Sequence, residues 1–226
     1  ARDVLAQVTD SDVSNDAFAF GTCQEVIIAG ATVKALRVTY VGELGWELHF
    51  PIEHALTLYD ALMKAGESFG IGNAGYRAIE SLRLEKGYRA WASDIGPDYS
   101  PLEAGMGWAV KMKSNMPFMG REAIAEQQER GLSKRLACFV VDDPSIVLLG
   151  RETIYRNGER VGWLSSGGWG YTVGENIGYG YVRNPDGVSM DYLKSGSYEL
   201  DIATSRVRCR IQFGALVDAK MEKIKC

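Results

Sequence analysis

Residues 37–48 have the sequence RVTYVGELGWEL, which predicts a tight β-hairpin. Strand-forming residues flank the pair Glu43–Leu44, and a glycine stands on each side of that pair. Glycine adopts the backbone angles of a tight turn at little steric cost. A two-residue loop would set Tyr40 directly opposite Glu47, and directly opposed residues have Cβ atoms about 5 Å apart. We therefore expect this hydroxyl and carboxylate to reach one small ligand together.

A carboxylate held on a strand suits a flat ligand edge that carries two parallel N–H donors, because its two oxygens can accept both hydrogen bonds. A pterin ring has such an edge. The competing interpretation is that Glu47 is a solvent-facing strand residue and Tyr40 a core aromatic, as is common in hairpins with no ligand. The residues of the hairpin alone leave both interpretations open.

Composition narrows the class of protein. The chain has 226 residues, 46% of them hydrophobic, and a net charge of −4, which fits a folded protein with a sizeable core and gives no general support for binding nucleic acid. The apolar runs are far shorter than the roughly 20 residues of a membrane span. Four scattered cysteines and only two histidines predict no metal site and reduced thiols. We expect a small-molecule ligand, no nucleic acid and no membrane.

The pattern changes along the chain near residue 131. Before it, strand-like segments at 25–28, 34–40 and 46–50 precede three predicted helices, with long loops between residues 87 and 117. The first helix begins near residue 55 and ends at Gly66 or Gly70, and the other two span residues 76–86 and 121–130. After it come short alternating stretches punctuated by Asn157–Gly158, Gly167–Gly168 and Pro185–Asp186–Gly187. The sequence predicts an α+β protein with a mixed domain at 1–131 and a small antiparallel β-barrel or sandwich at 132–226.

Several motifs in this order resemble a known family. TYVGELGWELHFP (39–51) resembles the hairpin signature of the glycine-cleavage T-protein superfamily. AIESLRLEKGYRAWASDI (78–95), SPLEAGMGWAVK (100–111) and FMGREAI (118–124) are similar to the aminomethyltransferase-like half of sarcosine and dimethylglycine dehydrogenases. VGWLSSGGWGYTVGENIGYGYV (161–182) resembles the family's carboxyl-terminal barrel. The resemblance implies a T-protein-like folate-binding domain, partial at its amino terminus, followed by that barrel.

The resemblance also implies a set of site residues. In the family, the tyrosine and the last glutamate of the hairpin motif bind tetrahydrofolate, and they match Tyr40 and Glu47. Trp91 matches an aromatic position that lines the folate cavity, although a hydrophobic plug beneath a loop is an equal alternative. The family's arginine for the folate carboxylate aligns with Ile79, which leaves the nearby Arg77 as a weaker candidate. The catalytic aspartate lies upstream of the hairpin in the family, so we expect no catalytic residue in this chain.

The implied function is folate-dependent one-carbon metabolism. In the parent oxidoreductases a flavin (FAD) oxidises an N-methyl amine, and tetrahydrofolate captures the one-carbon unit as 5,10-methylenetetrahydrofolate. The expected partners are folate and a flavin-dependent dehydrogenase domain in cis or in trans, and the expected location is bacterial cytoplasm or mitochondrial matrix. Two alternatives remain: a free-standing aminomethyltransferase, and a regulatory module like the regulatory subunit of pyruvate dehydrogenase phosphatase.

Two further patterns have ordinary interpretations. Residues 70–75 match G-x-G-x-x-G, but a dinucleotide loop follows a strand, whereas residues 56–69 have helical spacing. We therefore predict a helix–helix connection. Lys111, Lys113 and Arg121 form a basic patch that could attract a polyglutamyl folate tail, or simply face solvent.

Overall fold

The computed structural model describes residues 1–226. The chain divides into two compact units, one containing residues 1–82 and 218–226 and the other residues 83–217. The predicted boundary between sequence domains after residue 131 stays a prediction. None of the helices is both long enough and apolar enough to cross a membrane.

The first unit contains a three-stranded antiparallel sheet, two whole helices and the beginning of a third. Its strands, in sheet order, are β1 (Cys23–Ile28), β2 (Ala31–Leu36) and β3 (Glu47–His49), and its helices are α1 (Arg2–Ala6), α2 (Ala55–Gly66) and α3 (Tyr76–Lys86), which continues into the second unit. Alternate strand residues, such as Val26 and Val33, are buried with Phe18 and Leu58. The period of two thus gives the sheet one core face and one exposed face.

The predicted hairpin register is wrong. Strand β2 ends at Leu36, and Leu36, not Tyr40, lies opposite Glu47. The cause is the next residue: the Arg37 backbone N–H donates to the Thr22 carbonyl at 2.9 Å, and the Arg37 side chain is buried. These contacts hold the chain on the β1 side of the sheet, so that residues 37–46 form a wide loop instead of a two-residue turn.

The second unit is dominated by a closed antiparallel barrel. Its elements in chain order are α4 (Arg121–Arg130), β4 (Lys134–Val141), β5 (Thr153–Arg156), β6 (Glu159–Gly170), β7 (Glu175–Arg183), α5 (Met190–Lys194), β8 (Tyr198–Ile202) and β9 (Ser205–Gln212). The strands close in the order β4-β7-β6-β5-β8-β9, which leaves no free strand edge. Phe139, Leu164, Val182 and Leu200 are fully buried in the barrel core. The predicted α+β class with a small antiparallel barrel is confirmed.

In this unit, the local sequence patterns predicted one turn and one loop region correctly and one strand break wrongly. Asn157 and Gly158 form the β5–β6 turn with φ angles of 51° and 86°, as an Asn-Gly hairpin requires. Residues 87–117 contain no α-helix and no strand of either sheet, as predicted. The prediction of a break at Gly167–Gly168 is wrong, since both lie inside β6. A Cβ on Gly167 would come within 3.0 Å of the Leu148 side chain, so glycine there permits close packing.

Asp94 is the centre of a buried polar network in the second unit. It has no exposed surface. Its carboxylate accepts hydrogen bonds from the Arg83 guanidinium at 2.6 Å, the Ser166 hydroxyl at 2.7 Å and the Ala90 backbone N–H at 3.0 Å. The Ser165 hydroxyl donates to the same carboxylate. The network joins α3, the loop at residues 90–95 and strand β6.

The four cysteines are free and differ in environment. Burial raises the pKa of Cys138 to about 12 and that of Cys209 to about 12, whereas Cys23 and Cys226 are exposed. Because the thiolate is the reactive species, we expect an alkylating reagent at pH 8 to modify Cys23 and Cys226 in the folded protein. Cys138 and Cys209 should react only after unfolding. Peptide mass spectrometry after brief alkylation checks this, and early modification of Cys138 would contradict it.

Candidate functional site

Glu47 lies on the exposed face of the first unit's sheet, with 54% of its side chain accessible. We call this surface the exposed sheet face; it consists of Cys23, Glu25, Ile27, Thr32, Lys34, Leu36, Glu47 and His49. Glu47 is opposite Leu36, which is opposite Cys23 on β1. An accessible carboxylate therefore lies at the end of the row that Leu36 and Cys23 form.

His49 is a polar neighbour of Glu47. Its Nε2 lies 3.4 Å from a Glu47 carboxylate oxygen, and both side chains are more than half exposed. Such an exposed pair contributes little stability. The carboxylate thus keeps acceptor capacity for a ligand. The neighbouring row across the sheet contains Glu25, Lys34 and His49.

Tyr40 lies in the loop at residues 37–46 and is half-buried. The loop is ordered at its start by Thr39, whose hydroxyl accepts hydrogen bonds from the backbone N–H of Val41 at 3.2 Å and of Gly42 at 3.0 Å. Gly42 has a φ of 77°, a conformation that glycine adopts without strain. The strand ladder does not bring Tyr40 opposite Glu47, so a shared ligand would have to contact a loop residue and a strand residue.

Arg37 and Trp46 occupy the two ends of this loop. Arg37 is only 1% exposed, and its guanidinium donates to the Phe18 carbonyl at 2.6 Å. The same guanidinium lies 5.7 Å from the centroid of the Trp46 ring, which is a cation–π distance. The buried Arg37 therefore helps to fix the position of Trp46, and Glu47 directly follows Trp46 at the start of β3.

The remaining sequence candidates are not residues of the exposed sheet face. Arg77 is exposed in the first turn of α3. Trp91, in the second unit, is 73% exposed, so the hydrophobic-plug interpretation is wrong. Its loop is held by the Asp94 network described above. The segment at residues 70–75 connects two helical segments, as predicted.

The basic patch is partly used by the fold. The Arg121 guanidinium donates to the Met112 carbonyl at 2.7 Å, which restrains the preceding loop. Lys111 and Lys113 are exposed. The structure contains no feature that links this patch to a ligand.

Sequence reasoning missed the neighbours of Glu47. Leu36 and Cys23 share its row on the exposed sheet face. The sequence singled out neither, since Leu36 lies within the predicted strand at 34–40 and Cys23 lies before the predicted strand at 25–28. The alternation of apolar and polar residues along β1 and β2 could have placed them on this face. Their row could not have been predicted, because register depends on where the loop at residues 37–46 leaves the sheet.

Comparison with protein families matches both halves of the chain. The model described as "GCVT N-terminal domain" matches residues 1–114, and the model described as "Glycine cleavage T-protein C-terminal barrel domain" matches residues 134–218. The second match covers the strands of the closed barrel. Together the two matches account for most of the sequence.

Similar proteins include two dehydrogenases and a regulatory subunit. Mitochondrial sarcosine dehydrogenase from Mus musculus is 45% identical over 100% of this chain and 25% of the relative. Mitochondrial dimethylglycine dehydrogenase from Homo sapiens is 38% identical over 80% of this chain and 21% of the relative. The mitochondrial pyruvate dehydrogenase phosphatase regulatory subunit from Mus musculus is 36% identical over 93% of this chain and 25% of the relative. The chain spans about a quarter of the length of these relatives.

A solved structure has the same fold. The crystal structure of glycine cleavage system aminomethyltransferase T from Bartonella henselae superposes with a TM-score of 0.78 at 25% identity. The match covers 96% of this chain and 56% of the other.

Proposed function

The chain belongs to the glycine cleavage T-protein family, and from that premise we propose that it is the tetrahydrofolate-binding part of a sarcosine or dimethylglycine dehydrogenase-like enzyme. In this proposal the folate receives a one-carbon unit and becomes 5,10-methylenetetrahydrofolate. The one observation that carries the proposal is the available carboxylate of Glu47, within the motif through which the family binds folate.

The environment of Glu47 fits one edge of a pterin. The carboxylate is exposed and has no lysine or arginine within ion-pair distance, so both oxygens can accept the parallel N–H donors of that edge. Leu36 and Cys23 offer a mainly apolar surface next to it for the flat ring. Tyr40 stays a predicted second contact from the adjoining loop. The roles of Arg77 and Trp91 in folate binding also stay predictions.

The contribution of this chain is to bind and orient the folate. Orientation matters because holding two reacting groups in place removes much of the entropic cost of their encounter. The flavin of a partner dehydrogenase domain, in cis or in trans, supplies the oxidation of the N-methyl amine. We place the protein in the mitochondrial matrix if its source is eukaryotic, in line with the relatives named mitochondrial.

Calorimetry with tetrahydrofolate under reducing conditions tests the proposal. We expect Glu47→Gln to weaken binding about 10-fold to 150-fold, because hydrogen bonds to a charged group are worth about 1.5–3 kcal/mol. Glu25→Gln is the matched control, since Glu25 is also an exposed strand carboxylate on the same sheet face. It should bind like the wild type. No binding by the wild type, or equal binding by Glu47→Gln, would refute the pterin assignment.

A regulatory module is the second candidate function. The observation that favours it is the 36% identity to the phosphatase regulatory subunit over 93% of the chain. A module of that kind would act through a protein surface and would not need the Glu47 carboxylate. The same calorimetry separates the two candidates, because the absence of tetrahydrofolate binding by the wild type favours the regulatory module.

A further inference from the structure

An open cleft of about 850 Å³ lies at one end of the barrel in the second unit. Its walls are the loop at residues 102–107, the carboxyl-terminal end of α4, the start of β4 and the segment at residues 184–192. The volume is in the range of small-molecule sites, which often occupy the mouths of β-barrels. None of the residues proposed for folate lines this cleft.

The walls of the cleft are held together by backbone hydrogen bonds between distant segments. The N–H of Leu136 donates to the Glu103 carbonyl at 2.8 Å, and that of Asn184 donates to the Ser133 carbonyl at 2.8 Å. The N–H of Val188 donates to the Leu132 carbonyl at 2.6 Å. Each bond joins two walls, so the cleft is preformed and a ligand would not have to assemble it.

Arg135 lies at an unusual position for a charged residue. Along β4, Ala137, Phe139 and Val141 belong to the barrel core, whereas Leu136 packs in the cluster on the other face. Since strand residues alternate between faces, Arg135 belongs to the same inward-facing set as Ala137. It is the first member of that set along β4 and therefore lies at the mouth of the barrel. It lines the cleft.

The Arg135 side chain lacks an acceptor. Its Nε is buried and has no hydrogen-bond partner, and its guanidinium has no carboxylate within the 4.0 Å limit of an ion pair. Nearly all buried donors in folded proteins have a partner. A ligand oxyanion in the cleft would provide one.

The other lining residues indicate the class of ligand. Arg130 gives the cleft a second positive charge, and it also has no carboxylate within ion-pair distance. Asp186 contributes the one negative charge among the lining residues. Gln127 and Asn184 add amide groups. Apolar surface comes from Leu132, Val188, Met190 and the ring of Tyr192. The combination suits an anionic group attached to an apolar or aromatic body.

We propose that this cleft is a second ligand site, which binds a small molecule with a phosphate or carboxylate group on an apolar or aromatic body. The oxyanion accepts hydrogen bonds from Arg135 and Arg130, and the body packs against Val188 and Met190. This site does not depend on the folate function proposed above, since it is formed entirely by residues of the second unit.

Nuclear magnetic resonance titration of the ¹⁵N-labelled full chain tests the site with three probes: phenyl phosphate, benzoate and inorganic phosphate. We expect phenyl phosphate or benzoate to shift the backbone amides of residues 131–135 and 186–190 in a saturable way, and to bind more tightly than inorganic phosphate. Preference for phenyl phosphate assigns a phosphate ester, and preference for benzoate assigns a carboxylate. Arg135→Gln should weaken the better probe at least about tenfold, the loss typical of a charge-assisted hydrogen bond.

A control variant and a second cleft variant make the test specific. Arg160→Gln removes an exposed arginine outside the cleft and should leave probe binding unchanged. If Arg135→Gln does not fold, Arg130→Gln at the exposed end of α4 should still weaken binding. The proposal fails if no probe gives a saturable shift at millimolar concentration, or if Arg160→Gln weakens binding as much as the cleft variants.

Discussion

Replacing Asp94 with alanine is expected to lower the free energy of unfolding by about 3–5 kcal/mol, the cost of removing one partner from a buried ion pair. The Arg83 guanidinium, 1% exposed, lies 2.6 Å from the Asp94 carboxylate. Without that carboxylate, the buried Arg83 guanidinium loses Asp94 as an ion-pair partner, and the Ser166 hydroxyl loses its hydrogen bond to Asp94. Urea unfolding followed by tryptophan fluorescence measures the loss as a lower midpoint.

Asp98→Ala provides the matched control for Asp94→Ala. Asp98 is exposed in the same loop region, and its contact with Lys134 uses the backbone carbonyl, which the substitution keeps. We expect a change within about 0.5 kcal/mol. Adding Arg83→Met to Asp94→Ala should recover part of the loss, because the buried guanidinium that loses the Asp94 carboxylate is then absent. Equal stability of the Asp94 and Asp98 variants would contradict a stabilising role for the network.

Replacing Gly162 with alanine is expected to destabilise the barrel by about 3 kcal/mol or more, the upper end of the cost of overpacking. A Cβ at this position of β6 would meet the Tyr181 carbonyl oxygen of the neighbouring strand in a severe clash at 1.9 Å. The obstacle is backbone in a paired strand and cannot rotate away. Thermal unfolding and the yield of folded protein measure the effect.

Gly96→Ala is the control for Gly162→Ala, because a Cβ at Gly96 would meet no atom within 4 Å and its φ is not left-handed. This variant should be as stable as the wild type or slightly more stable, since alanine restricts the unfolded chain. If the two alanine variants had equal stability, the close approach of β6 to β7 at Gly162 would not limit the barrel.

Elements with strong local signals were predictable from the sequence. The helices predicted at residues 76–86 and 121–130 match α3 and α4, and Asn157–Gly158 forms the expected turn. These signals are local because helical periodicity and positive φ angles depend on residues close together in the chain. Glycines were less informative, since Gly167 and Gly168 break no strand but permit close packing inside β6.

The candidate site was predictable only in part. The hairpin motif indicated Glu47, and the structure places it on a strand with its carboxylate exposed. The predicted pairing with Tyr40 failed because buried Arg37 holds the chain to β1 and ends the ladder with β3 at Leu36. The family resemblance implied a place in the folate cavity for Trp91, with a hydrophobic plug as an equal alternative, and only its exposure in the folded chain removed the plug.

Short-range pattern was therefore enough to specify α2, α3 and α4, the Asn-Gly turn, the α+β class and the family motif that contains Glu47. The strand register around Glu47, the closure of the barrel, the burial of Asp94 and the cleft beside Arg135 depended on the folded chain. Each of these features arises from contacts between residues far apart in sequence, such as Arg37 with Phe18 and Arg83 with Ser166. Such contacts leave no periodicity in the sequence, because hydrogen-bond partners and packing neighbours are selected only when the chain has folded.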